Sequence, residues 1–302
     1  MKTASRTLLL VLAFLSASAL PGFAQQKKLK LHISVDMEGI AGVVTPEQLG
    51  PQGFEYARFR EFMTGETLAA IEAAFEAGAT EIVVADSHGN GQNLLIEKLP
   101  KNVTVVRSWP RPLGMMQGID ETFDGALLIG YHVSIHSSEG VRAHTYSSAR
   151  FAALRVNGTA MSEASLSGAI AGHFGVPVIL VAGDDAMVRE AQAQLGNVEG
   201  AVVKWAYGYH SARTLTPQAA QELIREKTKR AIARLREFKP YRLSAPLTLD
   251  LQFRNYRPAE VLAYLPIVER TGSHSIRFRA KDVIELSRFI GFLTNYDQPL
   301  EP

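Results

Sequence analysis

The feature of this sequence that most constrains its fold is a series of short apolar runs separated by segments of helical pattern. Residues 31–36 (LHISVD) and 81–85 (EIVVA) have the composition of buried strands. Between them, residues 56–77 carry apolar side chains at helical spacing, and Gly78 is a natural C-cap. Further strands are predicted at 103–106, 126–129 and 177–182, with a helix over 162–174. Strands alternating with helices predict an α/β fold, with a mostly parallel sheet flanked by helices.

The pattern changes after about residue 205. A long charged amphipathic helix is predicted over 217–238, and residues 247–253 (LTLDLQF) alternate like a half-exposed antiparallel strand. A short helix from Pro258, a strand at 275–278 and a last helix at 282–292 follow. We therefore expect an α/β domain over residues 25–205 and a smaller C-terminal α+β domain over residues 206–302.

Residues 1–24 have the pattern of a secretory signal peptide. Lys2 and Arg6 precede an apolar run over 8–15, and small residues stand before Gln25. The run is shorter than the roughly 18 residues that a spanning helix needs, so we expect cleavage rather than a membrane anchor. No comparable apolar stretch follows. The expectation is a periplasmic or secreted protein with no stable membrane insertion after cleavage.

The composition excludes several function classes. The 302 residues include no cysteine, which removes disulfides, thiolate metal sites and a cysteine nucleophile. Lys and Arg number 32 and Asp and Glu 30, and so nearly neutral a chain is a poor candidate for binding nucleic acid. The sequence contains no G-x-S-x-G, H-E-x-x-H or Walker A motif.

Possible metal ligands follow three of the predicted strands. Asp36 and Glu38 follow the first, His88 follows the second with Asp86 nearby, and His132 follows the strand at 126–129. Ligands of parallel sheets bind at the carboxyl ends of the strands, so these side chains should meet at one edge. Two carboxylates and two imidazoles suit zinc or a similar divalent ion. Glu163, in the first turn of a predicted helix, could add a carboxylate that bridges a second ion.

Each of these residues also has an ordinary structural interpretation. An aspartate can cap a turn, a glutamate can be a solvated loop charge or favour the positive end of a helix dipole, and a histidine can lie in a loop or a satisfied core. The coincidence at strand ends carries the metal-site hypothesis. His144 could reach the same site as a hydrogen-bond donor or proton carrier, and a structural role for it is equally open.

Several motifs together resemble the zinc-dependent D-aminopeptidase family. Residues 34–39 (SVDMEG) match its S-x-D-x-E-G signature, and the resemblance is strongest over residues 31–185. The later blocks follow in the family's order: Asp86-Ser87-His88-Gly89, Gly130-Tyr131-His132, His144-Thr145, Asn157-Gly158, Ser162-Glu163, Gly175-Val176-Pro177-Val178 and Gly183-Asp184-Asp185.

The resemblance implies a binuclear centre with two Zn²⁺ ions per subunit. Asp36 would bridge both ions, and Glu38, His88, His132 and Glu163 would complete the ligand set. It also implies hydrolysis of short peptides with an N-terminal D-amino acid, such as D-alanyl peptides, and assembly into a homo-oligomer that is a decameric ring in the type member. Because the chain has no cysteine, we expect metal-activated water as the nucleophile. His144 would stabilise the oxyanion or protonate the leaving amine.

Two alternatives remain at this point. The same metal site could hydrolyse L-dipeptides or amino amides instead of D-peptides. An exported two-domain α/β protein could also be a non-catalytic periplasmic solute-binding protein, which would bind its ligand tightly without turnover and would need no stoichiometric metal.

Overall fold

A computed structural model describes residues 28–296, so the predicted signal peptide at 1–24 lies outside the described residues. Within the described range the strands are β1 (Leu29–Val35), β2 (Ala79–Asp86), β3 (Val103–Val106), β4 (Gly125–Tyr131), β5 (Phe151–Val156), β6 (Thr159–Ala160), β7 (Val178–Asp184), β8 (Glu199–Gly208), β9 (Ser211–Thr214), β10 (Leu247–Phe253), β11 (Val268–Arg270) and β12 (Ser275–Ala280). The α-helices of the described residues are α1 (Tyr56–Glu76), α2 (Glu163–His173), α3 (Asp185–Leu195), α4 (Pro217–Ala233), α5 (Tyr256–Leu262) and α6 (Val283–Asn295). Within residues 28–296, no helix combines the length and apolar character that a membrane span requires.

Seven strands form one sheet in the order β3-β2-β1-β4-β7-β8-β9. All neighbours are parallel except β8 and β9. Val35, at the end of β1, is paired with Asp86 on one side and Ile129 on the other, so the carboxyl ends of the three strands are level. The α/β fold with a mostly parallel, helix-flanked sheet is confirmed.

Both faces of this sheet are covered, which explains why its central strands β4 and β7 are almost entirely apolar. Every residue of β4 and β7 is buried. Successive side chains point to opposite faces: Leu127 and Ile129 pack in a core with α1 and α4, whereas Ala126 and Leu128 pack in a second core with α2 and α3. The second core also includes residues of β5, β10, β11 and β12 among the remaining strands.

Those remaining strands form an antiparallel sheet in the order β11-β12-β10-β5-β6. β10 alternates between buried and partly exposed positions, as its sequence predicts. The two sheets do not divide the chain at residue 205, where the sequence predicts a domain boundary. That boundary itself remains a prediction. β5 precedes that position yet pairs with β10, and β6 pairs with β5. β9 and α4 follow it yet belong with the first sheet, because β9 pairs with β8 and α4 packs on α1.

Candidate metal centre

Six predicted side chains converge at the carboxyl edge of the parallel sheet. They form two groups in which the possible ligand atoms lie within 4.8 Å of one another: Asp36, Glu38 and His88 form the first, and His132, His144 and Glu163 the second. The groups adjoin, since His132 Nε2 is 3.4 Å from Asp36 Oδ2. The structure therefore brings these six residues, called the ligand cluster below, into one place.

The chain after β1 is held in place by the end of β4. The amide of Asp36 donates to the Ile129 carbonyl (2.8 Å), and the amide of Gly39 donates to the Gly130 carbonyl (2.7 Å). A Cβ on Gly39 would lie 2.0 Å from the Tyr131 carbonyl oxygen, so only glycine fits there. The S-x-D-x-E-G segment thus owes its final glycine to this close approach, which places Asp36 and Glu38 beside His132.

A buried lysine holds the same loop from beneath. Lys204, on β8, is fully buried, and its Nζ donates to the carbonyls of Glu38 (2.5 Å), Ile40 (3.0 Å) and Val43 (2.7 Å). These bonds fix the backbone that carries the Glu38 side chain. Lys204 was not identified from the sequence, because its only signal is a lone cation inside an apolar strand.

Each imidazole of the cluster has one nitrogen bound to a backbone carbonyl. His88 Nε2 donates to Leu49 (2.7 Å), His132 Nδ1 to Val133 (2.9 Å) and His144 Nδ1 to Arg142 (2.8 Å). A carbonyl only accepts, so the nitrogen that faces it carries the hydrogen. The other nitrogens face the cluster: His88 Nδ1 is 2.8 Å from Glu38 Oε2, and His132 Nε2 is 3.3 Å from Glu163 Oε2. Metal-ligating histidines have this arrangement.

The backbone around His144 has an unusual conformation that brings its ring to the cluster. Arg142 and Tyr146 both have left-handed backbone conformations, with φ of 56° and 59°, which is unfavourable for residues with side chains. The His144 ring stacks on the His132 ring at a centroid distance of 4.0 Å, and the Tyr146 amide donates to Glu163 Oε1 (2.6 Å). This loop therefore orders one imidazole and one carboxylate of the cluster together.

Burial and unsatisfied atoms show that the cluster suits a cation. Asp36 Oδ2, Glu38 Oε2 and His132 Nε2 are buried and make no hydrogen bond within the described residues. A buried polar atom without a hydrogen bond is costly even where, as for Glu38 Oε2 beside His88 Nδ1, an opposite charge is near. A bound metal ion would satisfy all three atoms. Carboxylate oxygens and imidazole nitrogens are ligands that zinc prefers. The residues present therefore fit zinc.

The electrostatics of the cluster without metal are those of a buried acid–base network. Burial raises the pKa of Asp36, and the neighbouring Glu38 carboxylate raises it further. Burial alone would lower the pKa of His132, but the carboxylates of Glu163 and Asp36 raise it to about 10. The pKa of His88 is likewise well above its ordinary value, because Glu38 and Asp36 outweigh its burial. Protons thus occupy positions that a metal ion would take.

The cluster opens into a cleft of about 230 Å³. One wall comes from the ends of β1 and β2 and the loops that follow them, including Asp36, Glu38 and His88, and the segment at 109–115 and α6 also line it. From the sequence, α6 was assigned to a separate domain and was not connected with the site.

Asp86 has a structural role: its carboxylate accepts hydrogen bonds from the Asn93 amide (2.5 Å), the Asn93 side chain (2.7 Å) and the Leu94 amide (2.7 Å).

Comparisons with known proteins agree with this architecture. A family model described as D-aminopeptidase matches residues 29–292, which include the whole ligand cluster. A D-aminopeptidase of Bacillus subtilis (strain 168) is 36% identical over 260 residues, covering 85% of this chain and 93% of the relative. The solved structure of the Zn-dependent D-aminopeptidase DppA from Bacillus subtilis, described as a self-compartmentalizing protease, superposes with a TM-score of 0.84 at 33% identity. That superposition covers 89% of this chain and 99% of the other.

Proposed function

This chain belongs to the D-aminopeptidase family, and we propose on that basis that it is a two-zinc aminopeptidase that removes N-terminal D-amino acids, D-alanine in particular, from short peptides. The observation that carries the proposal is the cluster of three carboxylates and three imidazoles at the end of the parallel sheet, all buried except the half-buried His144. Its donors suit zinc, and the cleft beside it gives a small peptide access.

Asp36 is the residue best placed to serve both ions. Its Oδ1 lies 3.2 Å from His88 Nδ1, and its Oδ2 lies 3.4 Å from His132 Nε2, so each oxygen faces one group of the cluster. Glu38 and His88 would hold one ion, and His132 and Glu163 the other. When bound, the two ions would lower the pKa of a water molecule and polarise the scissile carbonyl.

His144 would move a proton during the reaction. Its Nδ1 hydrogen is committed to the Arg142 carbonyl, and its Nε2 lies 3.9 Å from Glu38 Oε1 and 3.7 Å from Glu163 Oε1. Burial and the neighbouring His132 lower the pKa of His144, which favours a neutral ring whose Nε2 is free to accept a proton. This favours transfer of a proton to the leaving amine over donation to the oxyanion.

Two variants test the role of His144. His144→Ala should lower kcat by about 100-fold or more, the usual contribution of general acid–base catalysis, with zinc content unchanged. His274→Ala, which changes a half-buried histidine just before β12 and outside the cluster, should leave both unchanged. Near-normal turnover by zinc-loaded His144→Ala would refute the proton-transfer role, and loss of zinc would make His144 a ligand instead.

The substrate proposal also rests on export. The signal-peptide pattern at 1–24 favours delivery to the periplasm or the medium, where D-alanyl fragments of cell-wall turnover are natural substrates. Purified mature protein should release amine from D-Ala-D-Ala faster than from L-Ala-L-Ala, and Asp36→Asn should abolish the release. A preference for the L-peptide would overturn the D-specificity. Fractionation of producing cells tests export, and retention of the uncleaved chain in the cytoplasm would refute it.

A homo-oligomeric state completes the proposal. The related DppA is described as self-compartmentalizing, and the family resemblance implies a decameric ring. Large apolar side chains are available for contacts between copies: Tyr264 and Ile267, which flank the end of α5, are 78% and 64% exposed.

A further inference from the structure

Arg111 is a fixed guanidinium in the wall of the cleft. It lies between β3 and β4, lines the same cleft as the ligand cluster and is only 5% exposed. Its Nε donates to the Ser108 carbonyl (2.5 Å), its Nη2 donates to the Asp86 carbonyl (2.6 Å), and the guanidinium lies 4.1 Å from the Trp109 ring centroid. Two hydrogen bonds and an aromatic contact therefore hold it in one orientation.

The same guanidinium lacks an anionic partner. Its Nη1 is buried and donates to no acceptor, and no carboxylate of residues 28–296 lies within ion-pair distance. Both of its bonds are to neutral carbonyls. By contrast, the half-buried Arg234 has a carboxylate partner in Glu199. A buried, unpaired cation is unfavourable, so an anion supplied from the cleft would stabilise it.

We propose that Arg111 binds the terminal carboxylate of the peptide substrate, so that the protein acts on short peptides with a free C-terminus. This proposal deepens the proposed aminopeptidase function and depends on it. Arg is suited to the task because its planar fork matches a carboxylate. The substrate class would then be di- and tripeptide acids, in preference to amino amides and C-terminally blocked peptides.

The spacing within the cleft fits a dipeptide. The Asp86 carbonyl that holds Arg111 belongs to the residue two positions before His88. The Cα atoms of Asp86 and His88 are therefore at most about 7 Å apart. An extended dipeptide has a similar reach from its amino end to its carboxylate. A dipeptide whose amino end lies at the cluster could therefore extend its carboxylate toward Arg111. The cleft volume of about 230 Å³ also favours a short ligand.

A comparison of two substrates in three variants tests the proposal. D-Ala-D-Ala and its C-terminal amide differ only in the carboxylate. The zinc-loaded wild type should prefer the acid by about 10- to 100-fold in kcat/KM, the usual range for a charge-assisted hydrogen bond. Arg111→Met should reduce that preference to near unity by slowing the acid alone, and Arg111→Lys should restore part of it. Arg107→Met, which removes an exposed arginine of the same segment, should keep the full preference.

Binding measurements separate this proposal from the proposed function. Reduced-bond analogues of the acid and the amide cannot be hydrolysed, so their affinities for the zinc-loaded protein do not depend on turnover. A wild-type preference for the acid analogue that Arg111→Met removes would support the subsite even if no peptide were cleaved. An equal loss for acid and amide in Arg111→Met, or no acid preference in the wild type, would overturn it.

Discussion

At the residue scale, backbone carbonyls decide what the histidines of the cluster can do. Leu49, Val133 and Arg142 each accept a hydrogen bond from one ring nitrogen, which leaves the other nitrogen facing the carboxylates. The rings are thus oriented before any metal binds, and less freedom is lost when it does. No backbone amide donates a hydrogen bond to Asp36 Oδ2 or Glu38 Oε2, so these two oxygens remain available to a metal ion.

Metal binding should release protons, which is a prediction at this scale. Without metal the pKa of His132 is raised to about 10, which favours a protonated ring at neutral pH, and the pKa of His88 is raised in the same direction by Glu38 and Asp36. Zinc must displace these protons, and its affinity should therefore rise with pH. Calorimetry at pH 7 in buffers of different ionisation enthalpy should show about one or more protons released per chain. Proton release near zero, or affinity that falls between pH 6 and pH 8, would contradict this.

The sequence predicts the candidate metal ligands but not the residues that hold the surrounding backbone in place. Asp36, Glu38, His88 and His132 follow recognisable strands, so the topology of a parallel sheet predicts that they meet. Lys204 and Arg111 could not be found in this way. Their roles depend on carbonyls at 38–43 and at 86 and 108, which are far from them in sequence or carry no side-chain signal.

At the element scale, the site depends on two chain segments that approach too closely for any side chain. Gly39 and Gly130 face each other across the ends of β1 and β4. A Cβ on Gly130 would lie 2.2 Å from the Asp36 carbonyl oxygen, and its φ of 73° also favours glycine. The parallel register of β1 with β4 sets this contact, so the ligand loop and the sheet are specified together.

Gly39→Ala is expected to damage both stability and metal binding. The new methyl would overlap the Tyr131 carbonyl at 2.0 Å, and relief would require the 36–39 loop to move, at a cost of about 1–3 kcal/mol or more. Thermal unfolding and zinc content measure the two effects. Gly50→Ala is the matched control, since a Cβ at that position would have no atom within 4 Å, and it should change neither. A Gly39→Ala protein with wild-type stability and zinc content would refute this role of the loop.

At the scale of the whole molecule, the fold class was predictable and the path of the chain between the sheets was not. The buried parallel strands β4 and β7 are nearly continuous apolar runs, and such runs are strong sequence signals. β5 and β9 are short and partly exposed, and their partners β10 and β8 determine their sheets. Pairing between distant segments leaves no local pattern, so the crossing of the chain at 151–160 and 211–233 could not be foreseen.

The proposed assembly gives a prediction at the same scale. Light scattering of the mature protein should give a mass that is a multiple of the chain mass. We expect this because the related DppA is described as self-compartmentalizing. Replacing the exposed Tyr264 and Ile267 by serine and asparagine should lower that mass if they lie between copies. A wild-type protein that is monomeric at micromolar concentration would contradict the assembly.

Zinc titration of peptide hydrolysis tests the central claim most directly. Metal-stripped mature protein is mixed with D-Ala-D-Ala, and amine release is followed as zinc is added. We predict no release without metal and a rise to a plateau near about two equivalents per chain, as expected for a two-metal site, with no rise for Asp36→Asn. Release that is independent of zinc, or its absence in fully loaded wild-type protein, would contradict the two-zinc aminopeptidase proposal.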